Sequence, residues 1–416
     1  MTIISFISFT LLVILIFTGL FKKSDFFSPA RTFGLVWLTA IGLTDLKLSR
    51  LQVQWDLFGW FMLLLGLASF LLGIYICYTI FWDKKLQSVH EIRANIRNVE
   101  FDEQRLFKLI VIYFIVFATS FLLEFLIEGY IPIFTPQPDK ARKMFGVFGL
   151  HLLVNGVNVI LFLIAQYFIF IKGEYKRKTV LGVITIISVG SFLMLLQRYN
   201  FFILTIMIFI FLYYSGRNIR LRTYVIMLVI LVGSVLLIRN LRIAQLAEFY
   251  FYYMAEMKFS VDYAIFSEPY MYIVMNLENF VHNFNKIENH ALGFFTSDFL
   301  TALLGMKHWI AEYFGLEKFP HFISGYNTFP FYWAYYYDFG ILGLAILPGI
   351  LGFIISYTYY LLRSKPSVKR LVLYSIGFIV IVISYSSDPL TRLDMMFNFT
   401  LIYASQFFFI KVSDKT

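Results

Sequence analysis

Apolar residues run along this chain in long stretches, broken by short clusters of polar and charged ones. Several of the runs are roughly 16 to 26 residues long, and each of these can cross a hydrocarbon core of about 30 Å as a helix. The pattern predicts about eleven spans: Ile3–Phe21, Phe33–Leu46, Trp55–Trp82, Leu106–Leu126, Val147–Ile171, Val180–Leu196, Tyr199–Tyr214, Tyr224–Ile238, Phe329–Leu362, Leu371–Ser387 and Met395–Ile410. The second is the shortest. The one from Phe329 is long enough to include an interfacial aromatic segment ahead of the bilayer. The alternating strands of a membrane barrel are not found. The expectation is an all-α, polytopic integral membrane protein. Residues 1–416 form a single membrane domain, with one long extracytoplasmic loop, residues 239–328, inserted between two spans.

That loop is not a polar linker. Its stretches "AEFYFYYMAEMKF" and "DFLTALLGMKHWIAEYF" carry apolar residues at helical spacing among scattered charges. Amphipathic helices lying on the membrane or capping the bundle have this pattern. Orientation follows from the charge of alternate loops. One set of loops holds about two thirds of the Lys and Arg, and by the positive-inside rule that side is cytoplasmic. Its clusters include "KGEYKRK", "SGRNIRLR" and "RSKPSVKR". The N-terminus is then outside and the C-terminus inside. The first apolar run has no basic segment before it and no small-residue cleavage site, so it reads as a retained helix.

Composition agrees with this picture. The chain is 60% hydrophobic and 20% aromatic, with only 14% charged residues, where a soluble protein has about a quarter. The net charge of +10 belongs to cytoplasmic loops and is no sign of nucleic acid. Cys77 is the single cysteine, which rules out an internal disulfide. No cysteine–histidine cluster, Walker loop or dinucleotide fingerprint is present, so neither metal nor cofactor is expected.

Candidate chemistry lies where charge meets apolar sequence. In "MLLQRYNFFIL", Arg198 is the only formal charge between about Val180 and Tyr214, a position that is rare and functional by default in a membrane segment. It falls at the outer tip of a two-helix hairpin. There it is either an interfacial cation snorkelling into headgroups or a bidentate phosphate ligand. Arg239 and Arg242 in "IRNLR" share one helix face at the start of the long loop. Arg142 and Lys143 sit in the proline-rich outer loop "GYIPIFTPQPDKARKMFG". Among the acids, Asp338 enters the span after the long loop, either as a base or as a helix–helix ion-pair partner. Glu248 is a base or a salt-bridge partner of Arg242. Glu124, Glu128, Asp388 and Asp394 lie near outer helix ends and read as interfacial. His282, His290, His308 and His321 all fall in the long loop, and none pairs with a serine or cysteine at recognisable spacing.

Several segments together resemble the bacterial O-antigen polymerases, the oligosaccharide repeat-unit polymerases of Wzy type. These are "FFSPARTFGLVWL", "GYIPIFTPQPDKAR" with its Arg142, "EPYMYIVMNLENF", and above all "YNTFPFYWAYYYDFGILG" with Asn327, Thr328, Asp338, Gly340 and Gly343. The resemblance implies an inner-membrane glycosyltransferase without cofactor. It would move a growing glycan from undecaprenyl diphosphate onto a lipid-linked repeat unit, for O-antigen, capsule or exopolysaccharide. Membrane lipids, a chain-length regulator and a flippase are the implied partners. Catalytic roles would fall to Arg198, Asp338 and Glu248, and diphosphate binding to Arg142, Arg198, Arg239 and Arg242. Tyr270, Tyr272, Asn276 and Asn327 would bind sugar. The alternatives are a lipid-linked oligosaccharide flippase or polysaccharide transporter, and an O-antigen ligase.

Overall fold

The computed structural model describes residues 2–21, 25–216, 247–284, 289–316 and 326–411, with the single positions 233, 237, 241 and 287. Among them the chain is helical, without a named strand. Seven helices are long and apolar enough to cross a membrane: Ile3–Leu20, Leu57–Ile80, Glu103–Phe134, Leu150–Phe170, Tyr175–Met194, Arg198–Ser215 and Trp333–Ser364. Three further expected spans are helices of only 16 or 17 residues, Pro29–Asp45, Val368–Ile383 and Leu393–Phe409. The span expected at Tyr224–Ile238 lies outside the described residues apart from Gly233 and Leu237.

The chain folds as two compact units. The first comprises Met1–Leu86, Glu248–Leu361 and Val380–Leu393. Its helix Ile3–Phe21 runs against Pro29–Asp45, with Ser5 donating from its amide (3.0 Å) and its hydroxyl (2.9 Å) to Asp45 Oδ2. Phe6, Leu11 and Phe17 stay exposed along the outer face, the surface that lipid covers. Pro29 opens the second helix after an extended Ser28, a place where a missing N–H costs nothing. The next helix, Leu57–Ile80, begins at Asp56, whose carboxylate accepts the Gly59 amide at 2.7 Å. This helix crosses Trp333–Ser364 through small residues. Ser69 donates to the Ala345 carbonyl at 2.7 Å, and Gly73 lies directly against Gly349. Without a water-driven force between helices in lipid, such close backbone contact is what binds them. Trp333–Ser364 itself breaks at Gly340, which adopts φ 60°, ψ −143°, a region open essentially to glycine alone. The core beneath is aromatic: Trp37 stacks on Tyr332 at 5.5 Å and donates its indole N–H to Ser384 at 2.9 Å.

The second unit comprises Gln87–Ala247, Leu362–Ile379 and Asp394–Thr416. Val157–Phe170 is buried nearly all round, the mark of a central helix. Gln166 and Gln406 exchange amide hydrogen bonds at 3.1 Å in its interior. Glu103–Glu128 starts on Asp102, which caps the Arg105 amide at 3.0 Å, and ends on Gly129 with φ 75°. The expected hairpin is present: Tyr175–Met194 and Arg198–Ser215 are joined by three residues, with Leu196 at φ 56° making the reversal.

Candidate active site

In the first unit, three irregular segments converge around a cavity of about 410 Å³, a size that suits a small ligand or a sugar residue. The first segment follows the helix Val368–Ile383. In "SSDPLTR" the Asp–Pro step turns the chain. Asp388 Oδ1 accepts the Leu390 amide at 2.9 Å, and Thr391 returns its hydroxyl to the Asp388 carbonyl at 3.0 Å. Asp388 Oδ2 accepts the Tyr335 hydroxyl at 2.7 Å. Burial pushes this carboxyl up to about 6, against the opposing effect of those two donors. Asp388 and Arg392 both line the cavity.

The second segment is "YNTFPF". Pro330 keeps Phe329 out of the helical region, and Phe331 N–H binds the Ser384 carbonyl at 2.8 Å. Asn279 donates to the carbonyls of Tyr326 (3.2 Å) and Thr328 (3.0 Å), and the Thr328 hydroxyl donates to Asn276 Oδ1. The helix Ser267–Asn283 therefore fixes the rim on which Asn327 sits. That helix is itself tied down by Glu278, which pairs with Lys47 and accepts from Gln52 (3.1 Å) and the Trp55 indole (2.9 Å). Burial holds Lys47 below the usual lysine range, opposed by Glu278.

The third segment is the turn around Gly293–Ser297. Asp338, fully buried, accepts the amides of Phe295 at 3.1 Å and Thr296 at 2.6 Å, one on each oxygen. The turn brings Phe295 and Asp298 to the cavity, and Asp298 pairs with Lys307 at 2.7 Å. The aromatic floor is a row of stacked rings: Phe329 on Trp333 (4.4 Å), Trp333 on Tyr337 (5.7 Å) and Tyr337 on Phe295 (4.5 Å). An apolar lining flanked by carboxylates and a guanidinium can pack against a sugar's apolar side, bind its hydroxyls and handle a proton.

The expected site residues distribute unevenly over this geometry. Asn327 lines the cavity and Asn276 supports its rim. Asp338 stands behind the wall, holding the turn. Tyr270 is buried elsewhere, bonded to Gln52 at 2.6 Å and the Leu48 amide at 3.0 Å, and Tyr272 is exposed. Arg239 and Arg242 lie outside the described residues, as does the Glu248 side chain. Sequence reasoning passed over Asp298, Lys307 and Arg392, and took Asp388 as interfacial. A signal was present, since "SSDPLTR" sets an acid and an arginine four residues apart across a proline turn.

Arg198 and Arg142 belong to the second unit. Arg198 is half-buried and opens its helix beside a knot of amides, where Asn155 Oδ1 accepts from Gln197 at 2.8 Å and Asn200 at 3.2 Å. Arg142 pairs with Asp139 at 3.4 Å. In the same unit Glu124, fully buried, holds His151 Nδ1 at 3.0 Å and the Val147 amide at 2.9 Å. A larger depression of about 710 Å³ is lined by Arg97, Lys172 and Lys178. Its described lining has no carboxylate.

A family model described as "Putative O-antigen polymerase" matches residues 25–392. Neither a curated protein nor a solved structure matches the chain.

Proposed function

The chain belongs to the O-antigen polymerase family, and on that premise we propose that it extends glycans on the outer face of the bacterial inner membrane. The donor is a growing glycan on undecaprenyl diphosphate, and the acceptor is the next lipid-linked repeat unit. The N-terminus lies outside and the C-terminus in the cytoplasm, as loop charge indicates. On that orientation the loop carrying Asp388 and Arg392 opens outward.

The observation that carries this reading is the cavity of the first unit, with its row of stacked rings beside a buried carboxylate and an arginine. Glycan transfer needs a surface for sugar rings, a proton acceptor for the incoming hydroxyl and positive charge for the departing diphosphate. Arg142, Arg198, Arg239 and Arg242 have the chemistry to hold a lipid diphosphate. Glu248 is a further candidate acid by sequence, and Asp338 serves the cavity by positioning the Gly293–Ser297 turn.

The test is reconstitution. Purified protein in vesicles is given lipid-linked repeat unit extracted from a strain that lacks this chain. A polymerase makes a ladder of longer chains without another protein. A flippase moves the repeat unit between leaflets and leaves it single, which would refute the reading.

A further inference from the structure

We propose that Asp388 is the general base and Arg392 the diphosphate-facing cation of the transfer reaction, acting on a sugar held in the cavity that Phe329 and Trp333 line. This inference rests on the polymerase reading and names the atoms that carry it out. Asp388 lines the cavity and sits in the connection between two helices, where two neutral donors fix its orientation, the Tyr335 hydroxyl at 2.7 Å and the Leu390 amide at 2.9 Å. Each carboxylate oxygen accepts one of these bonds and keeps a lone pair for a further proton. Asp338, by contrast, spends both oxygens on backbone amides behind the wall. The Asp298 carboxylate is neutralised by Lys307 at 2.7 Å. Asp388 is thus an acid of this cavity held by neutral donors, a hydroxyl and an amide.

The step balances without a co-reactant. The acceptor hydroxyl gives its proton to the Asp388 carboxylate, and its oxygen forms the new glycosidic bond to the donor's anomeric carbon. The bond from that carbon to the diphosphate oxygen breaks, and undecaprenyl diphosphate leaves with the electron pair. Arg392, on the same turn as the base, offsets its charge. The proton then passes from Asp388 to water or to the diphosphate. Phe295, Phe329 and Trp333 make one side of the lining apolar, and Asn327, Thr391 and Ser387 offer polar groups for the sugar's hydroxyls.

The experiment uses the same vesicles and the same extracted repeat unit. Wild-type protein builds a ladder. Asp388→Asn, which keeps an oxygen for the Leu390 amide, lowers chain growth by about 100-fold or more, the lower end of a general base's usual contribution. Its thermal unfolding in detergent stays near wild type. Chain growth at the wild-type rate from Asp388→Asn overturns the inference and leaves the polymerase reading intact. A wild-type protein that never lengthens the repeat unit overturns both. Should Asp388→Asn fail to fold, Tyr335→Phe carries the test. It removes one donor to the carboxylate, which disfavours the charged form, so the acidic limb of the pH–rate profile moves to higher pH. The other charged groups around the cavity, Arg392 and the Asp298–Lys307 pair, are unchanged in that variant, and a profile that does not move overturns the inference.

Discussion

Gly73 lies so close to Gly349 that a Cβ on the first would stand 1.9 Å from the carbonyl oxygen of the second. The helices Leu57–Ile80 and Trp333–Ser364 touch backbone to backbone there, and a Cβ added at Gly352 would likewise run into the Phe70 carbonyl. A side chain can be admitted only by separating the helices. Gly73→Leu should therefore cost about 1–3 kcal/mol or more, read as a lower unfolding temperature in detergent or as loss of the protein from membranes. Gly182→Ala, where an added Cβ meets nothing within 4 Å, should stay within about 1 kcal/mol of wild type. Equal behaviour of the two variants would show that the close crossing does not hold the first unit together.

Chain growth should depend on pH through Asp388. The active form of a base is the carboxylate, and burial raises this carboxyl from 3.8 to about 6. Above that value the group is ionised and growth is at its plateau. As pH falls through it the group takes up a proton and growth declines, by tenfold for each pH unit well below. A rate that is flat from pH 7.5 to pH 5 would contradict the assignment.

Lys47 and Glu278 form a buried ion pair between distant parts of the first unit. Lys47→Met strands the carboxylate in the interior and should cost about 3–5 kcal/mol. Adding Glu278→Gln removes the stranded charge and should recover part of the loss, while leaving an acceptor for Trp55. Thermal unfolding of the two single variants and the double variant checks this. A Lys47→Met protein as stable as wild type would mean that the pair contributes nothing.

Asp338→Asn should act through the wall of the cavity. An amide offers one acceptor oxygen where the carboxylate serves two amides, so the turn carrying Phe295 loosens. The expected result is a raised KM for the lipid-linked acceptor with kcat reduced less. A collapse of kcat at unchanged KM would point instead to direct participation of Asp338.

Arg198→Ala should abolish long polymer while leaving the protein inserted in the membrane, and Arg198→Lys, which keeps charge without the planar fork, should fall between. Ladders of wild-type length from Arg198→Ala in a strain lacking the native chain would remove Arg198 from the reaction.

The elements were legible where hydrophobic length alone decides them. The hairpin tip at "LLQRYN" follows from two apolar runs with almost no residue to spare between them, and the turn falls on Leu195–Gln197. Asn327 was legible from the segment "YNTFPF". Asp388 was not, because its surroundings are long-range: Tyr335 lies 53 residues before it in sequence, and a carboxylate near a helix end looks solvated until such neighbours enclose it. Asp338 reads from the sequence as a base or an ion-pair partner, because a carboxylate inside an apolar helix stands out. Its position in an apolar helix is unusual, but its two amide donors come from a turn 42 and 43 residues earlier, and no periodicity in the helix announces them. Glu278 was hidden in the same way, since Lys47, Gln52 and Trp55 reach it from another part of the chain.

The break at Gly340 separates two mechanical duties. Phe329, Trp333 and Tyr337 all precede it, and the longer part of the helix, from Ile341 to Ser364, follows it. Helices meet a thicker or thinner bilayer by changing their tilt. A continuous helix would transmit that tilt to every ring it carries. Here the helix kinks at a single residue, and the segment before it is tied to other parts of the chain: Phe331 to Ser384, Tyr335 to Asp388, and Asp338 to Phe295. A kink at that point lets the ring-bearing segment keep its ties to Ser384 and Asp388 while the helix beyond Gly340 takes its own tilt.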